Sequence, residues 1–264
     1  MFNVFLLFCI PLAIMYYIVF VWQWKKNSQN FYPDNMPFVF GHRGSPTHIT
    51  ENTLPSFEKA IDEGVDGLEF DIRLTKDKKI VIFHDSDLQR LAGINKKIQD
   101  LTYDELQEIK LEQVQMIPRL NDLVPLLDKI KAVNIEIKSE GFLKGQGIIK
   151  PLIQFLNQHN IDDKCIVSSF NPLILLRLKL KRSKTILGYL YNRSMIFHPW
   201  NNLVWMCRIR PDNLHIHYSL LDSWIVKWAQ GKGMKINSYT INDKKVFDGA
   251  KIDGVFTDNI EYLK

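Results

Sequence analysis

Between Phe40 and Ala60 the chain reads FGHRGSPTHITENTLPSFEKA, with an imidazole at His42, a guanidinium at Arg43 and, eight residues on, a carboxylate at Glu51. A histidine and an arginine closing an apolar run, followed by an acid, suit an anion or a metal ion. Three further stretches carry groups of the same kind. GLEFDIRL (67–74) holds Glu69 and Asp71, KIVIFHD (79–85) ends in His84 and Asp85, and NIEIKS (134–139) supplies Glu136 and Lys138. Glu69 and Asp71 are two apart in a strand-like run, so their side chains share a face. One carboxylate among Leu68, Phe70 and Ile72 is costly to bury unless neutralised, and a second like charge adds to the cost. A divalent cation meets both demands. Glu136 repeats the pattern within IEIK. Three carboxylates make a hard oxygen site for one Mg2+ or Ca2+ rather than Zn2+. Buried salt bridges with Arg43, Arg73 and Lys138 would account for one such acid; three at one end of a sheet argue for metal.

His42 and His84 flank this cluster and suit a general base and a general acid working in turn. Arg43 can hold a phosphate in bidentate fashion and Lys138 adds a point charge. Gly44 would let the backbone approach that anion. Glu51 is expected to orient Arg43 or complete the metal shell, and Asn52 to cap the helix that follows. Two histidines, a cation, an arginine and a lysine together describe phosphodiester cleavage.

Elements from distant parts of the chain must bring these groups together. Strand-like runs at 38–42, 67–74, 79–85, 134–139, 165–170, 185–190, 213–219, 235–241 and 254–258 alternate with helix-like runs, which implies a parallel sheet with right-handed crossovers. The second and third runs are joined by LTKDKK, too short for a parallel connection. They should form an antiparallel hairpin turning near Lys76 and Asp77, pairing Glu69 with His84 or, one residue out of register, Asp71 with His84. With the return arm set aside, eight parallel strands remain, the number of a (β/α)8 TIM-type barrel, whose active site lies at the C-terminal strand ends.

The chain has 264 residues and a net charge of +5 with both signs mixed; no basic run suggests nucleic acid. Cys9, Cys165 and Cys207 form no CxxC motif, and Ser168 and Ser169 lack a GxSxG context. Residues 1–24 contain no charged side chain and are long enough for a bilayer, which takes about 20 apolar residues. They lack the basic start and small-residue cleavage site of a signal peptide. A single-pass transmembrane anchor is expected, with 25–37 as a linker and 38–264 as the barrel. Lys25 and Lys26 put the catalytic part on the cytoplasmic side. The apolar stretch FHPWNNLVWMC (197–207) is expected to pack on the barrel, part of it as a lid or membrane-dipping loop. His215 and His217 alternate in NLHIHYS, so one could face the pocket, with core or surface the favoured placement.

HRG, ENT, LEFDIRLTKD, FHD and IEIK, in this order and spacing, resemble the glycerophosphodiester phosphodiesterase family. The likeness continues in VSSF (167–170), HIHYS and DGVFTDN (253–259), over essentially Phe38 to Lys264. The resemblance implies a barrel with a small insertion after the return-arm histidine, about 86–120. It implies metal-dependent hydrolysis of glycerophosphodiesters to glycerol 3-phosphate and an alcohol. By motif, His42 and His84 become the acid/base pair, Glu69, Asp71 and Glu136 the metal ligands, and Arg43 and Lys138 the phosphate contacts. Two positions depart from the family pattern. Thr50 replaces a common Pro, and SYTIN, with Tyr239, stands where a WTVN-like run is usual, which bears on headgroup preference. A lysophospholipase D acting on lysophospholipids is the alternative substrate class. A non-catalytic binding barrel would be expected to have lost one of His42, His84, Glu69, Asp71 or Glu136, and all five are present.

Overall fold

Each of the eight apolar runs that lack the hairpin's short connection becomes a parallel barrel strand. In the computed structural model, which describes residues 2–191, 203–249 and 251–261, these are β1 (Phe38–His42), β2 (Gly67–Leu74), β6 (Ala132–Ile137), β7 (Cys165–Ser169), β8 (Ile186–Tyr191), β9 (Asn213–His217), β10 (Lys235–Tyr239) and β11 (Gly254–Thr257). β1 pairs in parallel with both β2 and β11, which closes the barrel. Helices α2 (Leu54–Asp62), α5 (Ile149–His159), α6 (Pro172–Lys181), α7 (Leu203–Ile209), α8 (Trp224–Gly231) and α9 (Lys244–Gly249), with a 3-10 helix (Leu120–Lys129) before β6, are the crossovers. The side chains of alternate strand positions separate into two cores. Leu68, Phe70, Ile72, Val133 and Ile135 face outward and pack beneath the helices. Phe38, Phe40, Ala132, Ile166, Ile186 and Phe256 form a second buried cluster inside the barrel. Each such side chain contributes about 1.5–3 kcal/mol by burial.

The expected hairpin is present, with a register between the two anticipated. β3 (Ile80–Ile82) runs antiparallel to β2 with Ile72 opposite Ile82 and Leu74 opposite Ile80. The turn takes three residues rather than two, because Lys78 adopts φ +64 and the Thr75 N–H donates to Lys79 O. Asp71 therefore lies opposite Phe83, whose N–H donates to Asp71 O at 2.9 Å. The ladder ends there, and the chain bends at His84–Ser86 toward the barrel mouth. The segment that follows carries β4 (Asp87–Leu88), α3 (Gln89–Ala92), β5 (Ile94–Lys97) and α4 (Tyr103–Gln107). It has its own small core, in which Leu88, Leu91, Ile98, Leu106 and Ile117 pack on Val81 and Phe83.

The N-terminus differs from expectation. No helix among the described residues is long and apolar enough to cross a membrane. Helix α1 (Phe2–Tyr16) has 15 residues, about 22 Å at 1.5 Å each, against a hydrocarbon core of about 30 Å. A π-helical turn follows (Tyr17–Val21), and at Trp22 the backbone becomes extended. Two of the apolar residues beyond α1 are packed on protein, while Tyr17, Phe20 and Val21 are exposed. Val19 and Trp24 are buried; the Trp228 indole donates to Val19 O at 2.8 Å, and the Trp24 indole donates to Pro211 O at 3.1 Å. The supposed linker is also docked. Phe31 and Tyr32 pack edge-on against Phe38 at the N-terminal end of the barrel, where the Tyr32 hydroxyl meets Asn213 Oδ1 at 3.1 Å and Asn237 Oδ1 at 2.9 Å. Phe197 and Trp200 lie outside the described residues; Trp205, on α7, packs edge-on against Phe142 at 5.6 Å.

If Tyr32 closes the barrel floor, Tyr32→Phe should lower unfolding stability by about 1–3 kcal/mol, because buried asparagine groups lose a partner. Urea denaturation measures this, and an unchanged midpoint would show that the ring alone makes the closure.

Candidate active site

Strand ends set the position of every group in the site. Glu69 and Asp71 point inward from β2 and Glu136 from β6, with Asp71 opposite Glu136 in the parallel register. All three are buried, and one oxygen from each lies within 4.8 Å of the others. Lys138 Nζ lies 2.5 Å from Glu136 Oε1 and 3.0 Å from Asp71 Oδ1. Arg43 Nε is 3.3 Å from Asp71 Oδ2. The Arg43 backbone takes φ +60 and its N–H donates to Glu69 Oε2 at 3.1 Å. This left-handed turn is what returns the guanidinium over the acids, a conformation that costs about 1–3 kcal/mol and so requires firm support.

The charges are unbalanced. Burial pushes the Glu69 carboxyl well above the usual carboxylate range, and the charges of Asp71 and Glu136 add to it. Burial also raises Glu136 against the pull of Lys138. Asp71 goes the other way: burial opposes its charge, but Lys138 and Arg43 outweigh it and hold the carboxyl well below its usual range. Three carboxylates meet two cations, and the remaining negative charge falls where all three oxygens converge. An all-oxygen, buried, negatively charged donor set fits a hard divalent cation.

The two histidines are tied by their Nδ1 atoms. His42 Nδ1 is 2.6 Å from Asp258 Oδ1 and His84 Nδ1 is 2.6 Å from Asp85 Oδ1. Nε2 is left to face the site, and His42 Nε2 lies 3.8 Å from Glu69 Oε2. Burial, reinforced by the charge of Lys138, pushes His84 down to about 4, so its ring is neutral at physiological pH. Both imidazoles, Arg43, Glu69, Glu136, Lys138 and Tyr239 line one cavity of about 220 Å³ inside the barrel.

Supporting residues partly follow expectation. Glu51 orients Arg43, accepting from Nη1 at 2.9 Å, and also accepts from Arg90 Nη2 at 2.6 Å. Arg90, on α3, donates through Nε to Asp85 Oδ2 at 2.7 Å, so a chain of ion pairs joins Arg43 to His84. Asn52 is not the helix cap. Thr53 fills that role, accepting from Ser56 N, and Asn52 instead donates to Asp71 Oδ2 at 2.9 Å. Gly44, at φ +93, packs closely on the start of α2: a Cβ there would lie 2.4 Å from Ser56 Oγ. The Tyr239 hydroxyl donates to Tyr191 O at 2.8 Å.

Sequence reasoning missed Asp258 and Arg90 and gave Asn52 a different role. Asp258 had a signal. Barrel closure puts β1 beside β11, and Gly41 pairs with Thr257, so the next residues, His42 and Asp258, emerge together. His215 is in the core, as favoured, and it also lines the candidate catalytic cavity.

A profile described as the glycerophosphoryl diester phosphodiesterase family matches residues 42–262. A glycerophosphodiester phosphodiesterase of Caldanaerobacter subterraneus subsp. tengcongensis is 31% identical over 236 residues, spanning 85% of this chain and 95% of its own. The crystal structure of a glycerophosphodiester phosphodiesterase from Thermotoga maritima superposes with a TM-score of 0.73 at 31% identity, covering 88% of this chain and 98% of that one. An Oleispira antarctica phosphodiesterase, solved in complex with the product sn-glycerol-3-phosphate, gives a TM-score of 0.75 at 28% identity over 87% of this chain and 94% of that one. The chain belongs to the glycerophosphoryl diester phosphodiesterase family and is a phosphoric diester hydrolase acting on glycerophosphodiesters.

Proposed function

We propose that the enzyme releases glycerol 3-phosphate and an alcohol by acid–base catalysis between His42 and His84, with one divalent cation, Mg2+ or Ca2+, held by Glu69, Asp71 and Glu136. The observation that carries this reading is the pair of imidazoles, each tied at Nδ1 by a carboxylate, beside three convergent buried acids. The bound cation would polarise the phosphate oxygens and offset their charge. Arg43 and Lys138 bind the phosphate. With Nδ1 committed to Asp258 or Asp85, each ring works through Nε2. One removes the proton from the nucleophile, which is water or the substrate's own glycerol hydroxyl, and the other delivers a proton to the departing alcohol oxygen; attack by the glycerol hydroxyl gives a cyclic phosphate, which water then opens to glycerol 3-phosphate by the same two rings in exchanged roles. The aspartates fix the tautomer and orientation, and so act as positioning residues.

A second reading, lysophospholipase D, is favoured by an apolar cavity of about 810 Å³ between the N-terminal helix and the barrel, within the size range of small-molecule sites. Leu12, Val19, Phe20, Leu220 and Ile225 line it, and Tyr191 links it to Tyr239 at the catalytic mouth. An acyl chain could lie there. Location at a membrane surface, with the barrel on the cytoplasmic side, belongs to the same reading: Ile10, Leu12, Ile14 and Phe20 are exposed on the N-terminal helical segment.

Four outcomes follow. EDTA should abolish hydrolysis of glycerophosphocholine and Mg2+ or Ca2+ restore it; activity that survives chelation would sink the metal assignment. His42→Ala and His84→Ala should each lower kcat by about 10²–10⁴-fold. Asp258→Asn should lower kcat by roughly 10–100-fold with KM little changed, as expected for an outer-shell partner of a working imidazole; a pure KM effect would contradict the positioning role. For the second reading, Leu220→Asp should reduce kcat/KM for lysophosphatidylcholine but not for glycerophosphocholine, and equal losses would count against an acyl site.

A further inference from the structure

The cavity that holds the catalytic groups also carries polar atoms that no described residue satisfies. His215, on β9, is fully buried, and neither ring nitrogen has a hydrogen-bond partner among the described residues. Asn134 lies on β6, two residues before Glu136. Its Nδ2 donates to Ser168 Oγ at 3.0 Å, while its buried Oδ1 is without a partner among the described residues. Both side chains line the same cavity of about 220 Å³ as His42, Arg43, Glu136 and Lys138. Orphaned polar atoms are expensive to bury, so native structures rarely keep them without a hydrogen-bonding occupant.

Packing rather than hydrogen bonding holds the His215 ring. The Phe256 ring lies 5.0 Å away, centroid to centroid. Gly188, on the neighbouring strand β8, clears the space: a Cβ there would lie 2.5 Å from His215 Cε1. The ring is thus fixed in place with both nitrogens available. Burial pushes its pKa down to about 3, so it is uncharged at working pH and offers one N–H donor and one acceptor. Asn134 Oδ1 adds a second acceptor. A phosphate oxygen, an acceptor only, could use the single donor and neither acceptor. A hydroxyl both donates and accepts, so hydroxyls match this mixed set of one donor and two acceptors. The phosphate end of the cavity is already supplied by Arg43 and Lys138.

We propose that Asn134 and His215 form a neutral subsite that receives the free hydroxyls of the substrate's glycerol, setting specificity for a polyhydroxy group beside the phosphate. The proposal rests on the phosphodiesterase function and makes the two residues specificity-determining, without a role in proton transfer. A bound water is the competing occupant.

Calorimetric titration of the full chain in Mg2+ with sn-glycerol 3-phosphate and with propyl phosphate, which lacks the hydroxyls, tests it. The wild type should bind glycerol 3-phosphate at least tenfold more tightly. His215→Phe and Asn134→Ser should each reduce that ratio severalfold, and His215→Gln, which keeps a donor and an acceptor, should restore part of it. Thermal unfolding of each variant separates a lost contact from a lost fold, and the ratio is read only on variants with a cooperative transition. Equal affinity of the wild type for both phosphates, with glycerophosphocholine still hydrolysed, would overturn this subsite and leave the phosphodiesterase assignment standing. A ratio unchanged in both His215→Phe and Asn134→Ser would assign the two residues to water or packing and overturn it too. Failure to bind either phosphate, with no hydrolysis, would overturn both.

Discussion

Three buried carboxylates against two cations is the constraint on which the mouth of this barrel depends. Glu69, Asp71 and Glu136 come from two adjacent parallel strands, so the sheet itself forces them together. Like charges at such range destabilise the folded state unless a counter-charge is fixed among them. Arg43 and Lys138 supply part of it. Arg43 does so from a left-handed backbone, and Glu51 and Asn52 hold the arrangement from the other side. Breaking one partner of such a cluster leaves an uncompensated buried charge, which is why so many neighbouring groups, Asn52 included, are committed to it.

The insertion after β3 has a catalytic rationale in the same terms. Arg90 is half exposed and would count for little as a surface ion pair. Its two partners, however, are Glu51, which orients Arg43, and Asp85, which orients His84. A guanidinium on α3 thereby links Arg43 to one of the two imidazoles. The other imidazole is held by Asp258 from the opposite side of the barrel closure. The two histidines are thus positioned by independent supports, one within the closed sheet and one in the appended segment.

Much of this was legible in the sequence because it follows from short-range periodicity. The two-residue spacing of Glu69 and Asp71 fixes a common face whatever the tertiary fold, and the shortness of LTKDKK excludes a crossover. What was hidden depends on details that periodicity does not carry. A single residue, Lys78 at positive φ, shifted the hairpin register, and the bend after Phe83 then brought His84 to the mouth despite the shift. The helix cap moved by one residue because Asn52 has a stronger demand on it from Asp71. The N-terminal segment misled for a different reason. Hydropathy counts apolar side chains but not their partners, and Val19 and Trp24 find theirs in the barrel's own helices rather than in lipid. His215 was favoured as core or surface, with the pocket left open; that its ring nitrogens have no hydrogen-bond partner among the described residues depends on the tertiary packing and not on periodicity.

The polar floor and the apolar groove imply a division of labour across the mouth. On the inner side, Asn134 and His215 present uncharged hydrogen-bonding atoms to the cavity. On the outer side, beyond the Tyr239–Tyr191 contact, the lining becomes almost wholly aliphatic and aromatic. Tyr239 stands on the boundary, with its ring edge-on to both Phe170 and His217 and its hydroxyl used by Tyr191. Its hydroxyl bond to the Tyr191 carbonyl joins the walls of the two compartments. Under the proposed roles, buried charge would hold the phosphate, and discrimination among the groups on either side of the phosphorus would fall to neutral residues.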